Sequence, residues 1–369
     1  MSKNEQTFQK KLLKDICSTQ SSNIALKDLK YNSGPYPIYG ASGFITCVDF
    51  FKVDKPYVGV VKDGAGVGRV MLLPEKSSVI GTMQSIIPAS GTDVKYLSYL
   101  LDFLDLGRFC SGATIPHIYF KDYGKEPIPA HSPEQQQEIS ATLDKITKLI
   151  TLRQQQLFKL DQLAKSRFIE MFGDPVTNPR AWHSYPLDEL GELNRGVSKA
   201  RPRNSPDLLG GVYPLVQTGE VANSGTYITK FEQTYSEKGL AQSRMWKAGT
   251  LCITIAANIA QTAILTFDAC FPDSVVGFIA NDKTRQLFIH HWFKFFQKIL
   301  DEQAPQVAQK NINLKILKEL QVIVPPKPLQ DEFCRFIEQL DKSKVTIRKS
   351  IEKLETTYRA LLQDYFEIS

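Results

Sequence analysis

From Ser132 onward the apolar residues advance in alternating steps of four and three: Ile139, Leu143, Ile146, Ile150, Leu157, Leu160, Ala164 and Met171. Arg153 and Arg167 fill the two seam positions left between them. The same spacing returns near the C-terminus at Phe333, Ile337, Leu340, Ile347, Ile351, Leu354, Tyr358, Leu361 and Tyr365, with Lys344 as its one break. An apolar period of about 3.5 residues, held over more than four heptads, marks the seam of a coiled coil. The pattern predicts two long helices, over 132–173 and 327–369. Pro133 and Pro328 sit where a helix starts, and Gly173-Asp174-Pro175 stops the first one.

Ahead of each helix the chain reads as strand-like. Short runs rich in β-branched and aromatic residues alternate with turns: Tyr36–Gly40, Tyr57–Val61, Gly68–Leu73 and Thr82–Pro88 in the first half. Tyr213–Val221, Thr250–Ala256, Thr262–Phe267 and Ser274–Ala280 follow the same order in the second. A helical run closes each set, Val94–Leu106 and Arg285–Leu300. The chain therefore carries one plan twice, a β-rich region (1–131, then 174–326) followed by a heptad helix. The expected fold class is α+β, with two similar β-rich domains joined by two long helices that form an antiparallel intramolecular coiled coil. A homodimeric coil is the alternative, because heptads do not name their partner. Between matching landmarks the first helix runs from Leu143 to Leu160 and the second from Leu340 to Leu354, three residues fewer. Such an offset shifts the local coil phase.

Length and charge refine this picture only modestly. A chain of 369 residues exceeds one ordinary core. Its net charge of +6 is compatible with nucleic acid and also with neutral partners. No apolar run is long enough to span a bilayer, and the N-terminus lacks the apolar core of a signal peptide. Six scattered cysteines without a C-x-x-C pair read as reduced thiols in a cytoplasmic protein.

The chemistry of an enzyme is not visible in the sequence. There is no phosphate-binding G-x-x-x-x-G-K-[ST] run. Gly64, Gly66 and Gly68 in KDGAGVGRV miss the dinucleotide spacing and read as a β-turn. The Asn/Asp-Pro-Pro-Tyr/Phe of an amino-methyltransferase is missing. Pro206-Asp207 and Pro272-Asp273 open like nuclease motifs but lack the following acid-x-Lys partner. His117, His131, His183, His290 and His291 have no metal-ligand spacing.

Several segments carry a specific resemblance. KLDQLAKSRFIEMFGDP, at the end of the first heptad helix, resembles the central conserved region of type I restriction–modification specificity subunits. FIEQLDKSK and KLETTYRALLQDYF resemble their distal conserved region, and SGATIPHIYFKDYG and QKNINLKILKEL resemble the ends of their target-recognition domains. The resemblance covers nearly the whole chain in the family's order. It implies a non-catalytic reader of double-stranded DNA, in which each β-rich domain binds one half of an asymmetric bipartite site and the coil fixes the gap. The 40 residues from Pro133 to Phe172 make roughly 60 Å of helix at about 1.5 Å per residue, one and a half to two turns of duplex. The resemblance further implies two methyltransferase subunits and two restriction–translocase subunits as partners, directed to adenine N6. S-adenosylmethionine, ATP and magnesium would then be held by those partners and not by this chain.

Phosphate contacts call for Lys and Arg, and base reading for a few polar side chains at groove edges. In the first domain the candidates are Tyr39, Ser42, Lys62, Arg69, Thr114 and His117. In the second they are Lys199, Arg201 and Arg203 of the acid-free run RGVSKARPR (with Arg195 opening it), Gln217 and Thr218 after a strand, Arg244 and Lys247, and the loop residues Gln309, Lys310 and Asn311. A solvated linker turn is the plain alternative for the basic run. Two other functions stay open at this level: the recognition region of a fused restriction–methyltransferase system, and a coiled-coil scaffold without DNA selectivity.

Overall fold

The computed structural model describes residues 10–112, 116–256, 259–296, 299 and 312–368. The chain divides into two compact units, Met1–Gln154 with Lys349–Ser369, and Gln155–Arg348.

In the first unit, β1 (Lys10–Leu12), β2 (Cys17–Ser21), β3 (Tyr36–Gly40), β4 (Gly43–Val48), β5 (Tyr57–Val61), β6 (Val70–Leu73), β7 (Ser78–Val79) and β8 (Met83–Pro88) precede helix α1 (Val94–Phe103). A short α2 (Phe120–Tyr123) and β9 (Pro127–Pro129) follow, and the long α3 (Pro133–Phe172) begins. One sheet has the order β2-β8-β5-β6, a second has β4-β3-β7, and β1 pairs with β9. Every residue of β5 is buried, which is why YVGVV is a near-continuous apolar run and not an alternating one. Helix α1 packs Tyr96, Leu97, Leu100 and Leu101 against Val58, Val60 and Ile86 of the sheet. Asp93 caps α1 by accepting from the Tyr96 amide at 2.7 Å, and it also accepts from Ser140 Oγ of α3 at 2.6 Å. The cap therefore ties the β-rich region to its coil helix.

The second unit contains β10 (Ser184–Pro186), β11 (Gly191–Arg195), β12 (Leu209–Leu215), α4 (Thr218–Asn223), β13 (Tyr227–Ile228), β14 (Gln233–Tyr235), α5 (Glu237–Ala241), β15 (Met245–Trp246) and β16 (Leu251–Thr254). It continues with β17 (Thr262–Leu265), β18 (Ala269–Cys270), β19 (Val275–Ala280), α6 (Gln286–Trp292), α7 (Leu314–Glu319), β20 (Gln321–Ile323) and the long α8 (Lys327–Phe366). Its sheets run β11-β19-β16-β17-β13 and β14-β12-β18-β15, with β10 paired to β20. The strand order of the first unit recurs here with β13 and β15 added at sheet edges. An antiparallel four-strand core recurs as β2-β8-β5-β6 and β11-β19-β16-β17, and a parallel pairing recurs as β3 with β7 and β12 with β18. The duplication is thus one of topology, carried by dissimilar side chains.

The predicted helices pair within each unit. In the first, Ile139 and Leu143 of α3 share a core with Leu362 and Phe366 of α8. In the second, Ala164 and Phe168 share a core with Phe333, Ile337 and Leu340. The cross-helix ion pairs fix the direction: Lys344 meets Asp161 at 2.8 Å, and Glu332 meets Arg167 at 2.9 Å. Rising numbers on α3 oppose falling numbers on α8, so the pairing is antiparallel and intramolecular. Ile146, Ile150, Ile351, Leu354 and Tyr358 are half-buried in the first unit, as are Leu157, Leu160 and Ile347 in the second. A two-helix seam leaves its residues in that state. Two cationic interruptions of the heptad, Arg167 and Lys344, are the places where the ion pairs cross.

Local departures from the sequence reading have physical causes. The run Tyr213–Val221 is strand only to Leu215, and Gln217 then caps α4, its amide donating to Glu220 Oε2 at 3.1 Å. The heptad at the end of α3 gives way to Phe168 and Phe172, which keep contact with Phe333 of α8 while entering the core of the second unit. The glycine run does form a turn between β5 and β6. Gly68 has φ +87°, and a Cβ there would lie 2.5 Å from the Gly107 amide nitrogen. Gly68→Ala combines backbone strain with a clash against main chain, so we expect a loss of about 2–3 kcal/mol in denaturant unfolding. A loss under about 0.5 kcal/mol would show that the turn yields freely.

Candidate nucleic-acid interface

In the first unit, three loops are tied to one another by side chains. Arg69, after the glycine turn, donates from Nη1 to the Ala41 carbonyl at 2.7 Å, which holds it beside exposed Ser42 in the β3–β4 turn. His117 makes a two-sided relay, with Nδ1 2.8 Å from Asp63 Oδ1 and Nε2 2.9 Å from the Tyr119 hydroxyl. Asp63 also pairs with Lys62 at 3.1 Å. The backbone repeats the tie. The Gly64 amide donates to Pro116 O, the Ile118 amide to Lys62 O, and Ser111 and His117 exchange amide–carbonyl bonds. His117 and Lys62 are therefore brought together, as are Arg69 and the Ser42 turn. Tyr39 turns its ring edge-on to Phe44 at 6.1 Å and is half-buried. Thr114 lies outside the described residues.

Sequence reading missed Asp63 and Tyr119. Tyr119 is 46% exposed, and Lys121 Nζ lies 5.0 Å over its ring. An exposed aromatic flanked by a cation is suited to a nucleobase or sugar face. Its only sequence signal was a place inside SGATIPHIYFKDYG.

In the second unit the basic run folds onto its own carbonyls and one carboxylate. Arg201 Nη1 donates to Ser198 O and Ala200 O, each at 2.8 Å. Arg203 makes a forked contact with Asp273, at 2.7 and 2.9 Å, and Arg201 reaches the same carboxylate at 3.8 Å. The acid-free run thus meets an acid from 70 residues away, which lowers its net charge while holding both guanidinium groups in place. The Lys199 and Ala200 amides donate to Gln242 Oε1 at 2.6 and 3.0 Å, and Ser243 Oγ donates to Val197 O at 2.7 Å. Arg244 stacks on Trp246 at 3.9 Å and pairs with Glu192 at 2.8 Å, and that hydrogen bond holds the Glu192 carboxyl below its ordinary range. Lys199, Arg201 and Arg203 form one neighbourhood with the Gln242–Ser243 turn. Gln217 is bound to Gln233 at 2.7 Å, and Lys247 to Asp268 at 2.8 Å. Gln309, Lys310 and Asn311 lie outside the described residues.

Among the described residues no group of three or more His, Cys, Asp or Glu side chains is placed to hold a metal ion. No described helix is long and apolar enough to cross a membrane.

The type I restriction modification DNA specificity domain matches the chain twice, over residues 5–162 and 179–356. The type I restriction enzyme MjaIX specificity subunit of Methanocaldococcus jannaschii is 22% identical over 329 residues, covering 81% of this chain and 74% of that protein. Among solved structures, the S subunit of a type I restriction-modification system from M. genitalium aligns with a TM-score of 0.60 at 16% identity, over 99% of this chain and 98% of the other. A chain from a structure on complex assembly and conformational transition of the type I R-M system aligns at 0.56 and 14% identity over the full length of both. These likenesses support the fold, and the two domain matches, which coincide with the structural duplication, decide the family. The chain belongs to the type I restriction modification DNA specificity family and carries that domain in two copies.

Proposed function

We propose that each unit reads one half of an asymmetric bipartite DNA site, and that α3 and α8 set the gap between the halves. In this reading the chain is a cytoplasmic, non-catalytic subunit. It directs two methyltransferase and two restriction–translocase subunits, which hold S-adenosylmethionine, ATP and magnesium. The observation that carries the reading is the repeated topology with unlike loop chemistry. One unit offers the Asp63–His117–Tyr119 relay and the other the Arg201–Arg203–Asp273 fork. One scaffold with two surfaces suits two different half-sites.

Phosphate contacts alone give salt-sensitive, sequence-independent binding. We therefore expect the isolated chain to bind duplex DNA weakly, and to become site-selective with its methyltransferase, in fluorescence anisotropy at fixed salt. Equal affinity for all duplexes with the methyltransferase present would favour a plain scaffold.

His117 holds the first unit's relay from both ring nitrogens. His117→Ala removes two intramolecular hydrogen bonds, so the loops they order must be re-ordered on binding, and a loss of about tenfold in half-site affinity is expected. Tyr119→Phe, which removes only the hydroxyl contact, should lose less. Both are read by competition against a duplex altered only in the other half-site. Unchanged discrimination in both variants would remove the relay from recognition.

A further inference from the structure

The second unit contains a half-open cavity of about 520 Å³ that the DNA-reading account does not use. It lies where α3, α6 and α8 meet the loop before β13, and its volume falls in the range of small-ligand sites. Four cationic side chains line it, Lys165, Lys294, Lys344 and Arg348, against two carboxylates, Asp161 and Asp341. Both carboxylates are committed to one cation. Lys344 is 6% exposed, and its ammonium lies 2.8 Å from Asp161 and 3.1 Å from Asp341. Among the described residues, no carboxylate stands within ion-pair distance of Lys165, Lys294 or Arg348. Lys165 instead lies over the Phe295 ring at 5.2 Å, and the Arg348 guanidinium rests against Gly225, where a Cβ would come within 3.4 Å of it.

The inner wall is short of hydrogen-bond partners. His290 and His291 line the cavity and are 0% and 5% exposed. His290 Nδ1 engages Thr262 Oγ1 at 2.9 Å, while Nε2 of both histidines is unpartnered. Loss of solvent holds His290 well below its ordinary range and His291 down to about 3, and neighbouring Lys294 pushes the same way. Both rings are therefore neutral at physiological pH, and a neutral imidazole that accepts at one nitrogen can donate from the other. Three exposed cations that no described carboxylate reaches at ion-pair distance stand beside buried, unmet polar atoms, a surface that an anion completes. Tyr227 and Val345 supply an accessible apolar wall next to the cations.

We propose that this cavity binds a small organic anion, phosphate- or carboxylate-bearing. Lys165, Lys294 and Arg348 meet its charge, and Tyr227 and Val345 meet its apolar part. The site is separate from the DNA-reading loops and stands or falls without them.

The test uses the full chain in phosphate-free buffer, titrated calorimetrically with inorganic phosphate, citrate and adenosine monophosphate against chloride at matched ionic strength. Saturable binding of at least one probe is expected, with Lys294→Met and Arg348→Met each weakening it at least tenfold and the distant Lys27→Met leaving it unchanged. Both replaced side chains are exposed, so the fold should persist, and circular dichroism checks this. Binding of inorganic phosphate and citrate alone would assign the charged end only, whereas tighter binding of the nucleotide would assign the apolar wall as well. Absence of saturable binding by all three probes, or equal loss in all three variants, would overturn the proposal.

Discussion

Phe168→Ala is expected to cost the second unit about 3–5 kcal/mol, the range for truncating a large buried aromatic. Phe168 is fully buried at the centre of an aromatic cluster. Its ring lies 5.0 Å from Phe172, 5.4 Å from Phe288, 5.1 Å from Phe295 and 5.5 Å from Phe333. Those partners come from α3, α6, the turn after α6 and α8, so one side chain joins both coil helices to the β-rich core. Domains of this kind hold only about 5–15 kcal/mol in total. The loss should therefore appear as a large fall in the denaturant midpoint, read by tryptophan fluorescence because Trp246 and Trp292 are both in this unit. Phe158 on the same helix is the control. It is 64% exposed, and Phe158→Ala should stay within about 0.5 kcal/mol of the parent. Equal, small effects at both positions would contradict the packing described for the second unit.

Inserting one heptad into each long helix, after Gln154 and after Arg348, is expected to widen the unspecified gap of the DNA target by about three base pairs. Seven residues add about 10 Å of helix, and duplex DNA rises about 3.4 Å per base pair. A whole heptad in both helices keeps the seam in phase, so Ile150, Leu157, Ile347 and Ile351 retain their half-buried positions. A four-residue insertion in α3 alone shifts the phase and should cost stability as well as spacing. The measurement is the gap between modified adenines in DNA from cells carrying the variant and its methyltransferase. A motif with unchanged spacing would reject the role of the coil as a spacer.

The coil was legible in the sequence because its signal is local and periodic. Leu143, Ile146, Leu157 and Leu160 announce the seam through spacing alone, and the structure keeps them there. Where the period stops deciding, so does legibility. Phe168 and Phe172 fall off the a/d positions because they face the β-rich core of the second unit as well as Phe333 of the partner helix. Lys344 reads as a defect until Asp161, far away in sequence, is placed beside it. The same reason separates the legible from the illegible part of the interface. The glycine turn and the basic run are visible as local composition. Asp63 beneath His117, and Asp273 between Arg201 and Arg203, are supplied by segments 54 and 70 residues distant. The β-rich run reads on to Val221 because its composition is strand-like, whereas Glu220 three residues beyond Gln217 closes a helix cap.

If this chain chooses the DNA sequence to be modified, a methylome will show the choice. The chain is co-expressed with a methyltransferase subunit with which it forms a stable complex, in a host free of adenine methylation, and modified bases are read by single-molecule sequencing. A new two-part motif is expected, with one methylated adenine in each half, absent when this chain is omitted. A stable complex of the two proteins that yields no motif, or a motif that persists without this chain, would contradict it.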